Sequence, residues 1–244
     1  MATFIPVSSG RSLRLRVFPR PAAERVQAPS AKVKSLPLFP EAGGVSRSDA
    51  ASDRLARQVV QLCLLNRVNA ELIERFPKLG IQDWWLAGGC LFQTVWNLRS
   101  GRRAEQGIRD YDILYFSDDL SEEAERDVIA QTNDLCSDLG ADVQVRNQAR
   151  VHLWYPHKFG VAYPQLSNAS EGILNFMCRA SAIGLKRTGD EFLDLFAPFG
   201  LGDAWNFVVT PNRTIQATAA YREKTARWQA EWPAITVHPW AEGD

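Results

Sequence analysis

The sequence lacks any apolar run approaching the roughly 20 residues that a membrane-spanning helix needs, so a soluble, cytoplasmic protein is expected. Cysteine is scarce and scattered: Cys63, Cys90, Cys136 and Cys178 form no CxxC and no Cys/His pair. That spacing argues against zinc and for reduced, mostly buried thiols. Histidine is rarer still, at three, and His157 and His238 have no partner in the sequence and read as surface residues. A net charge is missing too, with 28 Lys/Arg against 28 Asp/Glu. Internal repeats and low-complexity stretches are absent beyond the N-terminal segment.

What the 244 residues do contain is a hydrophobic fraction of 45% and eight Trp, the composition of a folded globular protein. The length allows one substantial core, or one core with a small accessory domain. The zero charge conceals an asymmetry. Residues 1–50 carry eight Lys/Arg against Glu24, Glu41 and Asp49, a net +5, which leaves −5 on residues 51–244. Pro6, Pro19, Pro21, Pro29, Pro37 and Pro40 interrupt the same stretch, and it reads as an extended or disordered tail to about Ser48. Three uses of it stay open: contact with nucleic acid or an acidic surface, a solvated extension, or an organelle transit peptide. The acidic body offers no readable basic groove, which weighs against a long nucleic-acid substrate.

Ser52 or Asp53 is expected to cap a helix whose apolar positions Leu55, Val59, Leu62, Leu65, Val68, Leu72 and Phe76 recur every three or four residues. Pro77 and Gly80 end it. Asp83 to Ala87 reads as a short strand running into Gly88-Gly89, and Leu91, Val95 and Leu98 mark the next helix, stopped by Ser100-Gly101. Tyr111 to Phe116 is β-branched and aromatic enough for a central strand. Ser121 with Glu122 and Glu123 starts a helix that Gly140 closes, and Ala141–Arg146 and Val151–Tyr155 read as further strands. Beyond Tyr163 the pattern is less regular, with helices expected near Ser170–Phe176 and Thr214–Trp232 and a strand near Ile183–Lys186. The order predicts an α+β fold, a small mixed sheet with helices packed on it.

Two features carry chemistry. Alternate residues of a strand share a face, so Asp110 and Asp112 present two carboxylates together, leading into an apolar strand. Such a pair is costly to bury without a cation, and hard oxygen ligands suit magnesium. A Gly-Gly turn between strand and helix lets backbone approach phosphates and aims a helix N-terminus at them. Either feature alone is common: a Gly-Gly is often only a turn, and an Asp-x-Asp only a solvated edge. In this order they suit the transfer of a nucleotide, where two metals hold the attacking and leaving oxygens.

The run Ala87-Gly88-Gly89-Cys90, a helix, and then Asp110-Tyr111-Asp112-Ile113 resembles the DNA polymerase beta nucleotidyltransferase superfamily. Three further blocks resemble a group of bacterial nucleotidyltransferase-like proteins within it: Asn147 to Tyr155, Ala197 to Asp203, and Tyr221-Arg222-Glu223-Lys224 with Trp228 and Trp232-Pro233. The likeness runs over about residues 53–237. It implies the nucleotidyltransferase fold, a Mg2+ (or Mn2+) site on Asp110 and Asp112, and NTP binding at Gly88, Gly89 and Cys90. It does not supply an acceptor. The organisation expected is then a tail over 1–50, a nucleotidyltransferase core over 51–160, and a mostly helical C-terminal extension over 161–244.

Two departures matter. The tRNA-processing branch follows its Gly-Gly with an Arg-Asp pair, where Leu91-Phe92-Gln93 stand here, which argues against CCA-type end repair. The superfamily also places a third carboxylate on a neighbouring strand, and Asp142 is the candidate, as metal ligand or general base; Gln144 holds the position where the closer group is expected to carry an acid. Asn147, Arg150 and His152 form a polar cluster that either binds triphosphate, base, sugar or acceptor or braces the sheet edge. Trp84 and Trp85 read as core, and Trp154 as core or as a stacking platform for a base. Arg102, Arg103 and Arg109 read as a solvated basic loop with one possible phosphate contact. Two functions from different classes follow: a metal-dependent enzyme moving NMP from an NTP to a hydroxyl of a small molecule, protein or RNA, or a non-catalytic nucleotide-binding or regulatory module, for which Gln144 speaks.

Overall fold

The computed structural model describes residues 4–6, 12–18 and 47–240. Nine strands and eight helices are assigned within them: β1 (Phe4–Pro6), β2 (Ser12–Phe18), α1 (Arg47–Leu65), α2 (Arg67–Arg75), β3 (Trp84–Ala87), α3 (Gly89–Arg99), β4 (Tyr111–Tyr115), α4 (Glu122–Cys136), β5 (Val143–Asn147), α5 (Val151–Phe159), α6 (Ala169–Leu174), β6 (Gly184–Thr188), β7 (Phe192–Phe196), α7 (Gly202–Trp205), β8 (Val208–Val209), α8 (Thr218–Glu231) and β9 (Thr236–Val237). Seven strands form one mixed sheet in the order β1-β2-β7-β6-β3-β4-β5, and β8 pairs with β9 apart from it. The α+β class and the mixed sheet are as the sequence implies. The C-terminal segment contributes β6 and β7 to the sheet as well as α6, α7 and α8.

The expected single helix from Ser52 to Phe76 is corrected. It starts at Arg47, so Ser52 and Asp53 lie inside α1 and cap nothing, and it breaks at Asn66. There the amide side chain accepts from the N–H groups of Val68 and Asn69 at 3.0 and 3.3 Å, capping α2. The break rotates the apolar stripe, and Leu65 is left 66% exposed. Asn66 also donates to Thr94 Oγ1 at 2.9 Å and Tyr111 Oη at 3.2 Å, tying the helix pair to α3 and β4.

Val151–Tyr155 is a helix, not a strand. β5 ends at Asn147, whose Oδ1 accepts from Ala149 N at 3.1 Å, turning the chain into α5 within three residues. The aromatic residues that suggested a strand sit on a half-exposed helix instead, a case of tertiary context overriding β-propensity. The N-terminal reading also needs correction in part. β2 pairs in parallel with β7, and Arg16 grips the buried Asp194 with Nε–Oδ1 2.6 Å and Nη2–Oδ2 2.7 Å. β1 pairs antiparallel with β2, and residues 47–50 open α1; the other residues of the expected tail lie outside the described ones.

The main core packs α1–α4 on one sheet face through Val59, Leu72, Leu86, Phe92 and Ile113, and takes in Tyr221 and Trp228 of α8. A smaller core on the other face joins Trp85, Ala87 and Leu114 to Ala169 and Ile173 of α6. Trp84 and Trp85 are buried as expected. The four cysteines are free and buried. No described helix is long and apolar enough to cross a membrane.

Candidate active site

β3 is buried along its length between β4 and β6 and delivers the chain to Gly88. Gly88 has φ +75, which L side chains rarely adopt, and α3 begins at the next residue. A Cβ there would meet Phe176 at 3.3 Å and Asp112 Oδ2 at 3.8 Å; one at Gly89 would meet Gln93 Nε2 at 3.0 Å. The turn is therefore pressed against the carboxylates; Leu91 N and Phe92 N donate to Gly88 O at 3.1 and 3.4 Å, which leaves the Gly89 and Cys90 amides without an intrahelical acceptor. On β4, Asp110 and Asp112 flank the buried Tyr111 and share the face opposite to it, with Ala87 paired to Asp112 across the antiparallel ladder.

These groups line one cavity of about 250 Å3. Its far wall comes from α8, as Glu223, Lys224, Arg227 and Trp228, and Arg109 closes the approach to β4. Several contacts hold α8 in place. Trp228 meets Phe92 edge-on with centroids 5.2 Å apart. Tyr221 Oη donates toward Val209 O and His238 O at 3.0 and 2.6 Å. Trp232 Nε1 donates to Asn97 Oδ1 at 2.8 Å, while Asn97 Nδ2 donates to Ala104 O and Gln106 O at 3.0 and 2.7 Å. One buried amide thus fixes both the end of α8 and the loop that leads to Asp110. Arg102 adds an ion pair to Glu231.

The electrostatics follow from crowding. Burial, and then the neighbouring charge of Asp110, push the Asp112 carboxyl up to about 7; Lys224 and Arg146 pull it down, and Asp142 adds to the rise. Burial and the nearby Arg109 lower the Arg227 guanidinium, opposed by Asp110. The indole N–H of Trp228 is buried without a hydrogen-bond acceptor.

Among the residues singled out in the sequence, Gly88, Gly89, Asp110 and Asp112 are brought together, and Arg109 joins them. The Cys90 side chain turns into the core, its Sγ 3.6 Å from Ala87 O, and burial drives its thiol well up, so only its backbone belongs to the turn. Asp142 stands exposed at the start of β5, accepting from Gln144 Nε2 at 2.9 Å, and does not line the cavity. Among the described residues no three His, Cys, Asp or Glu side chains are grouped as a metal-holding set. Asn147, Arg150 and His152 lie away from the cavity. Asn147 is buried and braces residues 117–119, donating to Ser117 O at 3.0 Å and Asp119 O at 3.2 Å and accepting from Ser117 N at 3.1 Å. Arg150 pairs with Glu125 of α4. Lys224, Arg227 and Trp228 were not singled out as site residues, although the motif from Tyr221 to Trp228 contained them. The usable signal was the buried stripe Tyr221, Thr225, Trp228, which sets Lys224 and Arg227 at its borders.

A Gly-Gly helix start thus faces paired carboxylates, with Arg109, Lys224 and Arg227 lining the same cavity. The comparison with known proteins names the family: residues 74–237 match the family model described as "Nucleotidyltransferase", and the chain belongs to it. It is a nucleotidyltransferase, with an NTP as the substrate that membership implies. A solved structure described as "The NMR structure of the protein reveals a CCA-adding enzyme head domain" is similar in fold, with TM-score 0.57 and 23% identity over 69% of this chain and 87% of that one. No curated protein matches the chain.

Proposed function

We propose that the protein moves NMP from an NTP to a hydroxyl acceptor in a metal-dependent reaction, with a small molecule or protein favoured over a long RNA. The observation that carries this reading is the convergence of Gly88-Gly89, Asp110/Asp112 and the cations Arg109, Lys224 and Arg227 on one cavity. The two aspartates fit a divalent cation: they are hard oxygen donors on one strand face, and burial, then the charge of Asp110, raises the Asp112 carboxyl in the absence of a cation. Mg2+ or Mn2+ held by them would neutralise the charge that develops on the α-phosphate and the leaving pyrophosphate.

The chain's own groups do the rest. Gly88 and Gly89 let the backbone approach the phosphates, and the α3 amides and the cations of α8 bind the pyrophosphate portion. The acceptor oxygen forms the new bond to the α-phosphorus as the α–β bridging bond breaks. We assign its proton to Asp142, whose exposed carboxylate stands outside the cavity lining but close enough for its charge to act on Asp112.

The test is incubation with α-labelled NTPs, Mg2+ or Mn2+, and a cell extract. The expected result is label on an extract component, lost with Asp110→Ala or Asp112→Ala. Tight NTP binding without transfer under either metal would overturn the enzymatic reading, and no thermal shift with Mg-NTP would overturn the nucleotide site itself.

A further inference from the structure

The sheet face that carries Asp112 continues into a second cavity of about 210 Å3. Its floor is Leu114 and Arg146, one pleat beyond Asp112 and Gln144 on the paired strands β4 and β5. Its outer wall is aromatic, from Trp154, Tyr155 and Phe159 of α5 and Tyr163 of the following segment. Phe176, Met177 and Lys224 line both cavities. The two are thus adjoining compartments, one charged and one aromatic, with an ammonium group at their boundary.

The aromatic wall does not serve the fold. Tyr155 lies 4.6 Å from both Phe159 and Tyr163 between ring centroids, yet Trp154, Tyr155, Phe159 and Tyr163 belong to neither apolar core. Phe159 is 44% exposed. Four clustered rings outside any core keep apolar surface near water, which costs free energy unless something covers it. The lining also includes two amide side chains: Gln148, whose Nε2 donates to Arg146 O at 3.3 Å, and Asn175, which hydrogen-bonds Tyr163. Amides supply both donors and acceptors, and so can read the edge of a heteroaromatic ring. A ligand that fits both compartments carries phosphates at one end and a flat ring with hydrogen-bonding edges at the other.

We infer that the Trp154–Tyr155–Phe159–Tyr163 cavity binds the nucleobase of the NTP. The base stacks on the α5 aromatics, Gln148 and Asn175 face its edge, and Lys224 stands where the sugar joins the phosphates. This rests on the nucleotidyl-transfer reading of the first cavity and adds the base site to it. Stacking tolerates any base, so the choice among bases falls to the two amides.

The test separates the compartments with two probes, inorganic tripolyphosphate and the four NTPs, each with Mg2+, measured by titration calorimetry. Phe159→Ala removes a half-exposed ring that packs on Tyr155 but lies outside both apolar cores, and Ala220→Phe fills the cavity from α8. Both variants are expected to weaken NTP binding about tenfold while tripolyphosphate binding, which reports an intact first cavity, stays within about twofold. Unchanged NTP affinity in both variants overturns the assignment and leaves the transfer reading standing. A rise in acceptor KM with NTP affinity unchanged also overturns it, giving the cavity to the acceptor. Binding of neither probe by the wild-type chain removes the transfer reading, and this inference with it.

Discussion

The parallel strands β4 and β5 carry a polar constellation at each end, and the two ends behave differently. At the N-terminal end Asp110 and Asp112 face a cavity, opposed by the cations Arg109, Lys224 and Arg227. At the C-terminal end Asn147 and Arg150 are buried and paired with one another's neighbours: Asn147 braces Ser117 and Asp119, its N–H donates to Glu125 Oε1 at 2.9 Å, and Glu125 also pairs with Arg150, while Arg150 Nε and His152 Nδ1 are left without partners. Polar groups that satisfy one another hold structure. Polar groups crowded with like charge and opening on a cavity are kept for a ligand.

The widest separation between the two ends is expected in activity. Asp112→Ala should lower nucleotidyl transfer by about a hundredfold or more, checked by initial rates, without loss of thermal stability. Arg150→Ala should do the reverse. It leaves Glu125 buried without its partner, at a cost of about 3–5 kcal/mol, read as a fall in the denaturation midpoint, while the folded fraction keeps its NTP affinity.

Smaller effects sharpen the same contrast. The folded-state carboxyl of Asp112 is raised from 3.8 to about 7, so the folded chain holds more protons than the unfolded one between those values. The stability this group contributes is fully present below 3.8 and is lost as pH rises through about 7. Asp112→Asn should therefore raise the metal-free thermal midpoint by about 3–6 °C at pH 8, with the gain fading toward pH 4. Scanning calorimetry at both pH values checks this, and a gain that is equal at the two would contradict the electrostatic cause. The smallest effect belongs to Arg227→Gln, which removes one of the cations lining the cavity. NTP affinity should drop by about three- to tenfold, measured by calorimetry.

Much of the site is legible in the sequence because its grammar is local. Gly88-Gly89 between a strand and a helix, and Asp-x-Asp entering an apolar strand, are set by strand period and by glycine's freedom at positive φ. Ser121 is legible for the same reason: it caps α4, its Oγ accepting from Ala124 N at 3.2 Å. The roles of α5 and α8 are not local. Val151–Tyr155 has strand-forming residues, and only the turn imposed by Asn147 makes it a helix. Lys224 and Arg227 become site residues only when Trp228 docks on Phe92, a contact across more than a hundred residues. The break at Asn66 is hidden likewise, since an Asn inside an apolar period gives no sign that its amide will tie two helices and a strand together.

The central claim is that Asp110 and Asp112 act on the α-phosphorus of an NTP held at Gly88-Gly89. Parallel reactions with α-labelled and γ-labelled NTP test it most directly, in the wild-type chain and in Asp110→Ala/Asp112→Ala. The account predicts that the α-label moves to an acceptor while the γ-label leaves as pyrophosphate, and that both events vanish in the double variant. Transfer of the γ-label, or α-label transfer that persists without the two aspartates, would contradict it.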